Sequence, residues 1–204
     1  MSDYEKAMAD RAERIDALRK KIAAFLPEEL IGGFSLNGLT LEIGCGHGHF
    51  LAAYAAAFPQ ENCIGIDLIT KRIERALRKR DLAALRNLDF FKADAEEFFE
   101  ALPHKVTLDK LFLLFLDPWP KKRHHKNRII QTATLDLWAQ RSRPGAMIYF
   151  RTDHTEFFEW SRELVKAHPA WEILSDAAWP FERETYFQSI LPDAHKDLIA
   201  RRKA

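Results

Sequence analysis

The chain has 204 residues, of which 47% are hydrophobic and 30% charged, a composition that indicates a folded globular protein and excludes a disordered one. Its formal net charge is only +1, so any binding to a polyanion must come from local basic patches. Two cysteines, a start without a secretory signal pattern and the lack of a long apolar run predict a cytoplasmic protein without a membrane span.

Helices and strands are predicted to alternate along the chain after an amphipathic N-terminal helix. The predicted helices cover residues 3–25, 50–58, 70–86, 95–102, 129–141 (ended by Pro144-Gly145) and 155–167, and the predicted strands cover 39–43, 63–68, 88–92, 108–116, 146–151, 171–174 and 184–191. This alternation predicts an α/β fold with a mostly parallel seven-stranded sheet and helices on both faces. The last two strands, without a long helix between them, predict an antiparallel edge hairpin. We expect one domain over residues 1–204, with 1–26 as an extension.

A glycine-rich turn directly follows the first predicted strand and contains Gly44, Gly46 and Gly48. Glycines at such a turn allow the backbone to approach a ligand closely. The spacing Gly-x-Gly-x-Gly differs from the Gly-x-Gly-x-x-Gly of dinucleotide sites, which disfavours a pyrophosphate and hence a dinucleotide-dependent reductase. The turn lacks Lys and Arg and begins beside Glu42, so it favours a cationic ligand such as S-adenosylmethionine.

Acidic residues also follow the second and third predicted strands. Asp67 ends the second strand, where a carboxylate can accept hydrogen bonds from the hydroxyls of a ribose. Asp94 follows the third strand, from which it could reach the exocyclic amine of an adenine. Acidic and glycine residues at three successive strand ends therefore predict a nucleoside-containing cofactor.

The most informative segment lies just beyond the fourth predicted strand. Asp117 begins the run Asp-Pro-Trp-Pro-Lys-Lys-Arg-His, which combines a carboxylate, an aromatic ring and several cations. Ligands of open α/β sheets bind outside the carboxyl ends of the strands, so this run indicates an enzyme that acts on a nucleic-acid base. The alternative is a solvated, proline-rich turn with ordinary surface charge.

With these motifs in place, the chain resembles the bacterial tRNA (guanine-N7)-methyltransferases. The motifs occur in the order seen in that family over roughly residues 39 to 188, and they are Leu41–Gly48, Gly65–Asp67, Asp94-Ala95, Asp117–His124, Thr152-Asp153 and Thr185–Phe187. The resemblance implies a Rossmann-like class I methyltransferase fold. It also implies methyl transfer from S-adenosylmethionine to N7 of a guanine in the tRNA variable loop, leaving S-adenosylhomocysteine.

The resemblance also implies roles for the residues at matching positions. Asp117 matches the catalytic carboxylate of the family. Cofactor contacts are expected from Glu42, Gly44, Gly46, Gly48, Asp67, Asp94 and Asp117, and substrate contacts from Lys121, Arg123, Asp153, Thr185 and Gln188. Among the neighbouring cations, Lys122, Lys126 and Arg128 are expected either to bind phosphates or, for Lys126 and Arg128, to solvate a helix start.

One position departs from the family pattern. Gln188 stands where the family has glutamate, and an amide cannot accept from both guanine N1–H and N2–H₂ as a carboxylate can. A methyltransferase for another base or RNA, or a non-catalytic RNA-binding relative, is therefore the alternative. No metal site is expected, because the histidines lack ligand spacing. The expected assembly is a monomer or homodimer that binds tRNA.

Overall fold

The computed structural model describes residues 2–182 and 195–204 and contains a seven-stranded sheet. The strands are β1 (Leu39–Ile43), β2 (Asn62–Asp67), β3 (Leu88–Lys92), β4 (Leu108–Leu114), β5 (Ser142–Thr152), β6 (Trp171–Ile173) and β7 (Lys196–Arg202). The helices are α1 (Asp3–Phe25), α2 (Glu28–Ile31), α3 (His49–Ala57), α4 (Thr70–Leu82), α5 (Ala95–Ala101), α6 (Thr132–Gln140) and α7 (Thr155–Ala167). A 3₁₀ helix covers Lys122–Asn127.

The strands lie in the order β3-β2-β1-β4-β5-β7-β6, with β1 to β5 mutually parallel. β7 is antiparallel to both β5 and β6, so the predicted α/β class with an antiparallel edge pair is confirmed. β7 (Lys196–Arg202) lies between β5 and the edge strand β6, and the sequence predicts no strand over its residues. The strand predicted over 184–191 lies outside the described residues.

Apolar side chains cover both faces of the central strands, as a parallel sheet requires. Leu111 and Leu113 of β4 point into a core with α1, α5, α6 and α7. Phe112 and Leu114 point the other way, into a second core with α3, α4 and the segment 177–181. Because helices or chain segments close both faces, a ligand can approach this sheet only along its edges or at the strand ends.

The start of β5 differs from the prediction. The sequence predicts that Pro144-Gly145 ends a helix, but α6 ends at Gln140 and β5 already begins at Ser142. The pairing between β4 and β5 shifts register between Leu108 and Lys110, and Gly145 has a φ of +86°. A bulge of this kind allows a proline within a strand. Residues at the bulge do not pair with the neighbouring strand, so the missing N–H of proline leaves no hydrogen bond unmade.

None of the helices in residues 2–182 and 195–204 combines the length and the apolar character needed to cross a membrane.

Candidate active site

The loops at the carboxyl ends of β1 to β5 form one continuous rim, because parallel strands end at the same edge of a sheet. Backbone hydrogen bonds join the ends of β3 and β1 to the end of β2, and the end of β4 to the end of β5. Ala93 N donates to Asp67 O at 3.2 Å. Gly44 N and Cys45 N both donate to Ile66 O, at 2.8 and 3.0 Å. Phe115 N donates to Arg151 O at 2.9 Å. The polar side chains on these loops are therefore held on a connected backbone.

The three glycines of the turn after β1 have different surroundings, although all have positive φ. A Cβ on Gly44 would collide with Leu116, and one on Gly48 would collide with Phe90 and Ala76. A Cβ on Gly46 would meet nothing within 4 Å. Gly44 and Gly48 are thus required by packing within the protein, whereas Gly46 faces open space that a ligand can fill.

Glu42 lies beneath this turn and is almost fully buried. Its Oε2 atom has no hydrogen-bond partner among the described residues. Burial, and then the charge of Asp67, raise the pKa of Glu42 to about 8, against a smaller opposing effect of the Leu51 backbone N–H. A buried carboxyl group of this kind would be stabilised in its charged form by a nearby cation.

Asp67 is buried and accepts three hydrogen bonds from the protein. Its Oδ1 accepts from Ile69 N at 2.8 Å, and its Oδ2 accepts from Gly46 N at 3.1 Å and from the Arg72 guanidinium at 3.3 Å. A carboxylate offers about four acceptor positions, so one position on Oδ1 remains. Arg72 is partly exposed, and its departure would free a second position.

Asp94 and Asp117 divide their two oxygens in the same way. Asp94 caps α5 by accepting from Glu96 N at 2.8 Å, and Asp117 accepts from Trp119 N at 3.0 Å, each through Oδ1. Within the described part of the chain, neither Oδ2 has a hydrogen-bond partner, and both side chains are exposed. Each aspartate therefore shapes its own loop with one oxygen and has a second oxygen available for a ligand.

The turn that carries Asp117 has an unusual backbone. Phe115 and Trp119 both have positive φ, at +50° and +45°, a conformation that is costly for side chains of this size. The Trp119 ring is only partly buried and meets the His124 ring edge-on at 5.7 Å. Trp119 is thus not a deep core anchor.

Arg128 is buried beneath this turn and supports it. A residue that binds phosphate would lie on the surface, and Arg128 does not. Its side chain is fully buried, its Nε donates to Pro118 O at 2.9 Å, and its Nη2 donates to Glu156 at 3.2 Å. The rings of Phe157 and Trp160 lie 5.5 and 5.2 Å from its guanidinium carbon. The sequence does not distinguish Arg128 from the basic residues of the run 121–126, because the burial of Arg128 depends on the packing of α7.

The remaining predicted substrate residues are placed as follows. Lys121 and Arg123 are exposed at the start of the 3₁₀ helix, and Asp153 is exposed directly after β5. Thr185 and Gln188 lie outside the described residues. The structure thus brings Lys121, Arg123 and Asp153 to the same rim as the acidic residues.

Arg151 is a buried residue near the rim that the sequence analysis missed. It makes two hydrogen bonds of 2.7 Å to Asp197 and two of 3.3 Å to Glu182, and its guanidinium stacks on Trp179 at 4.1 Å. Arg151, which lies in β5, therefore links β5 to Asp197 of β7. It also links β5 to Glu182, which directly follows the segment 177–181 over the second core. Only the tertiary structure brings these partners together.

No group of three or more metal-ligating side chains occurs in the ranges that the structure describes. The acidic residues of the rim thus follow one another along neighbouring strands without forming a recognisable metal cluster.

Comparison with known proteins gives similarities in sequence and in fold. The family described as "Putative methyltransferase" matches residues 37–196. A tRNA (guanine-N(7)-)-methyltransferase of Caulobacter vibrioides is 33% identical over 168 residues, which cover 80% of this chain and 73% of the relative. A protein of the same name from Cutibacterium acnes is 40% identical over 131 residues, 64% of this chain, and the chain spans about half (48%) of that relative's length.

Among solved structures, the Precorrin-6y C5,15-methyltransferase of Geobacter metallireducens superposes with a TM-score of 0.57. The match covers 86% of this chain and 85% of that protein at 13% sequence identity. A likeness at this level of identity shows the shared class I methyltransferase fold and carries no information on the substrate.

Proposed function

Because this chain belongs to the tRNA (guanine-N(7)-)-methyltransferase family, we propose that it transfers a methyl group from S-adenosylmethionine to N7 of a guanine in the tRNA variable loop. The observation that carries the proposal is the succession of acidic residues at the ends of four adjacent strands. They are Glu42 at β1, Asp67 at β2, Asp94 after β3 and Asp117 after β4. Cations and hydroxyl groups are the ligands that such a set attracts.

The residues at β1 and β2 fit S-adenosylmethionine in both charge and shape. The unpartnered Oε2 of Glu42 is suited to the ligand's ammonium group, and the open space at Gly46 leaves room for its chain. The free position on Asp67 Oδ1 is suited to a ribose hydroxyl. Leu68 and Ile69, exposed apolar side chains directly after Asp67, provide a surface on which an adenine ring can lie.

The proposed reaction needs little acid–base chemistry from the protein. S-adenosylmethionine supplies an activated methyl group, and guanine N7 has a lone pair and no proton to remove. The contribution of the chain is then to align the base and to stabilise positive charge as it develops on the purine. Asp117 is suited to this because its Oδ2 has no partner among residues 2–182 and 195–204 and its turn is fixed by the bond from Trp119 N.

The substrate contacts are proposed from the remaining exposed residues of the rim. Lys121 and Arg123 would bind phosphates, and Asp153 would contact the nucleotide from β5, with Thr185 and Gln188 contributing from outside the described residues. We also propose that the protein acts in the cytoplasm, where tRNA is found, as a monomer or homodimer.

The proposal is tested by incubating the protein with methyl-labelled S-adenosylmethionine and tRNA from cells that lack 7-methylguanosine. The tRNA is then digested, and the labelled nucleoside is identified and mapped. We expect label in 7-methylguanosine of the variable loop. Label in another nucleoside would support the alternative of a different base, and the absence of label from tRNA would refute methyl transfer to this substrate.

A further inference from the structure

The outer face of α4 carries basic side chains that have no acidic partner in the part of the chain that the structure describes. Lys71, Arg75, Arg78 and Lys79 form no ion pair with any carboxylate of residues 2–182 and 195–204, whereas Arg72 and Arg80 of the same helix do. Lys71 and Arg75 are four residues apart, and Arg78 and Lys79 follow Arg75 by three and four residues, which places all of them on one helix face. In α1, by contrast, four of the six basic residues have acidic partners, and they are Arg11, Arg14, Arg19 and Lys20.

These cations are close enough to one another to interact unfavourably. Burial, and then the charge of Arg75, lower the pKa of Lys79. Burial, and then Arg75, Lys79 and Arg72, lower the pKa of His47 on the glycine turn, and Arg75 Nη1 lies 3.3 Å from His47 Nε2. Positive charge therefore accumulates along this face, and an anion bound there would relieve the repulsion.

The position of α4 relates this face to the candidate active site. In the sheet, β1 lies between β2 and β4, so the glycine turn lies between the loops that follow those two strands. α4 begins at Thr70, just after β2, and the cationic run 121–126 follows β4. Basic side chains that form no ion pair with the described residues therefore lie on both sides of the glycine turn, on α4 and at Lys121, Lys122, Arg123 and Lys126. With 13 residues, α4 extends this surface for about 20 Å away from the rim.

We propose that the outer face of α4, formed by Lys71, Arg75, Arg78 and Lys79, binds the phosphate backbone of the RNA substrate. It is a second contact surface, on the opposite side of the glycine turn from the run 121–126. This inference rests on the proposed function, since it assumes that the ligand of the rim is part of an RNA. A polyanion that spans both cationic surfaces would hold the target base between them, over the free oxygen of Asp117.

The test compares two triple variants that lose the same charge at opposite edges of the sheet. The first is Lys71→Ala, Arg75→Ala, Arg78→Ala, which leaves the partly buried Lys79 in place. The control is Lys105→Ala, Lys166→Ala, Lys203→Ala, three exposed lysines at the amino edge of the sheet. Alanine is the best helix former, so α4 should persist, and circular dichroism and the affinity for S-adenosylhomocysteine verify the fold.

The dissociation constant for a tRNA transcript is measured over a range of salt concentrations. Near 0.1 M salt we expect the α4 variant to bind about tenfold more weakly or worse, with the slope of log K against log salt reduced by about two to three. The control variant should keep the wild-type slope. Both variants should keep the affinity for S-adenosylhomocysteine, because neither changes a residue assigned to the cofactor.

Two outcomes would overturn the inference. One is an α4 variant that binds tRNA with the wild-type affinity and slope; the other is an equal loss in the α4 and control variants, which would mean that only total charge matters. Neither result depends on turnover. The proposed function fails separately, if the wild-type protein binds tRNA and transfers no methyl group to it.

Discussion

At the scale of single residues, the carboxylates of the rim combine a structural and a proposed chemical task. Asp94 and Asp117 each use one oxygen to hold a backbone N–H of their own loop, and the other oxygen has no partner in the described ranges. The sequence could predict that these acids follow strands, because strand ends and turns have a recognisable pattern. It could not predict which oxygen stays free, since that depends on the backbone angles of each turn.

Replacing Asp117 by asparagine separates these two tasks. An asparagine oxygen can still accept the bond from Trp119 N, so we expect the turn to be retained. The affinity for S-adenosylhomocysteine should change little, because an amide at position 117, an expected cofactor contact, can still make a hydrogen bond to it. The negative charge is lost, and methyl transfer should fall by roughly one hundredfold to one thousandfold, as when one electrostatic contact to a transition state is removed. Single-turnover transfer measures this, with Asp176→Asn at an exposed site as control. Near-normal transfer by the Asp117 variant would exclude a catalytic role for its charge.

Glu42 predicts a dependence of cofactor affinity on pH. Its pKa is raised to about 8, so the free protein holds a proton on Glu42 at lower pH. A bound ammonium group favours the charged carboxylate, and binding should then release this proton. The affinity for S-adenosylhomocysteine should therefore rise with pH by up to about tenfold per unit between about pH 6 and 8, and level off above.

Calorimetry at neutral pH in two buffers of different ionisation enthalpy measures the proton release directly. Glu42→Gln, which binds no titratable proton at this site, should show the same heat in both buffers and a flatter pH profile. Because the ligand is unchanged, the difference between the two proteins isolates Glu42. An identical heat in both buffers for the wild-type protein would mean that Glu42 does not lose a proton on binding.

At the scale of secondary-structure elements, strongly patterned segments could be predicted and those fixed by tertiary contacts could not. The limits of α1, β3 and α7 follow from periodic apolar residues and from prolines or caps. β7 was missed because charged residues surround its short apolar centre, Leu198–Ala200. Its extended form is stabilised by pairing with β5 on one side and β6 on the other, which no local pattern reveals.

The turn after β4 depends on its bond to Arg128, and this dependence can be tested with Arg128→Met. Methionine fills much of the same space but leaves Pro118 O without its donor, at a cost of about 1–3 kcal/mol in unfolding free energy. Turnover of tRNA should fall, because the Asp117 turn loses its support, while the affinity for S-adenosylhomocysteine stays unchanged. The cofactor residues on β1 and β2 do not contact Arg128.

The neighbouring variant Lys126→Met serves as the control for this prediction, because Lys126 is exposed. It should leave the melting temperature unchanged and affect at most the KM for tRNA. Chemical denaturation measures the stability of both variants, and steady-state kinetics separates kcat from KM. If Arg128→Met kept the wild-type kcat, the arginine would have no positioning role.

At the scale of the whole molecule, the two hydrophobic cores lie on opposite faces of one sheet, and both support the loops of the rim. β1 is the middle one of the five parallel strands, its glycine turn is bonded to β2, and the Asp117 loop is bonded to β5. A ligand that contacts the ends of β1 to β4 therefore contacts loops supported by the cores on both faces of the sheet. Binding there should stabilise the molecule as a whole against unfolding, and not only one loop.

This coupling predicts a shift in thermal unfolding that is specific to the ligand. At a concentration of 100 times its Kd, S-adenosylhomocysteine should stabilise the folded state by about 2.7 kcal/mol, which raises the melting temperature by about 5–10 °C in a chain of this size. NADP at the same concentration should produce no shift, because the glycine spacing and the acidic rim do not suit a pyrophosphate. A shift with NADP and none with S-adenosylhomocysteine would contradict the cofactor assignment, since only a ligand that binds the folded state can raise its melting temperature.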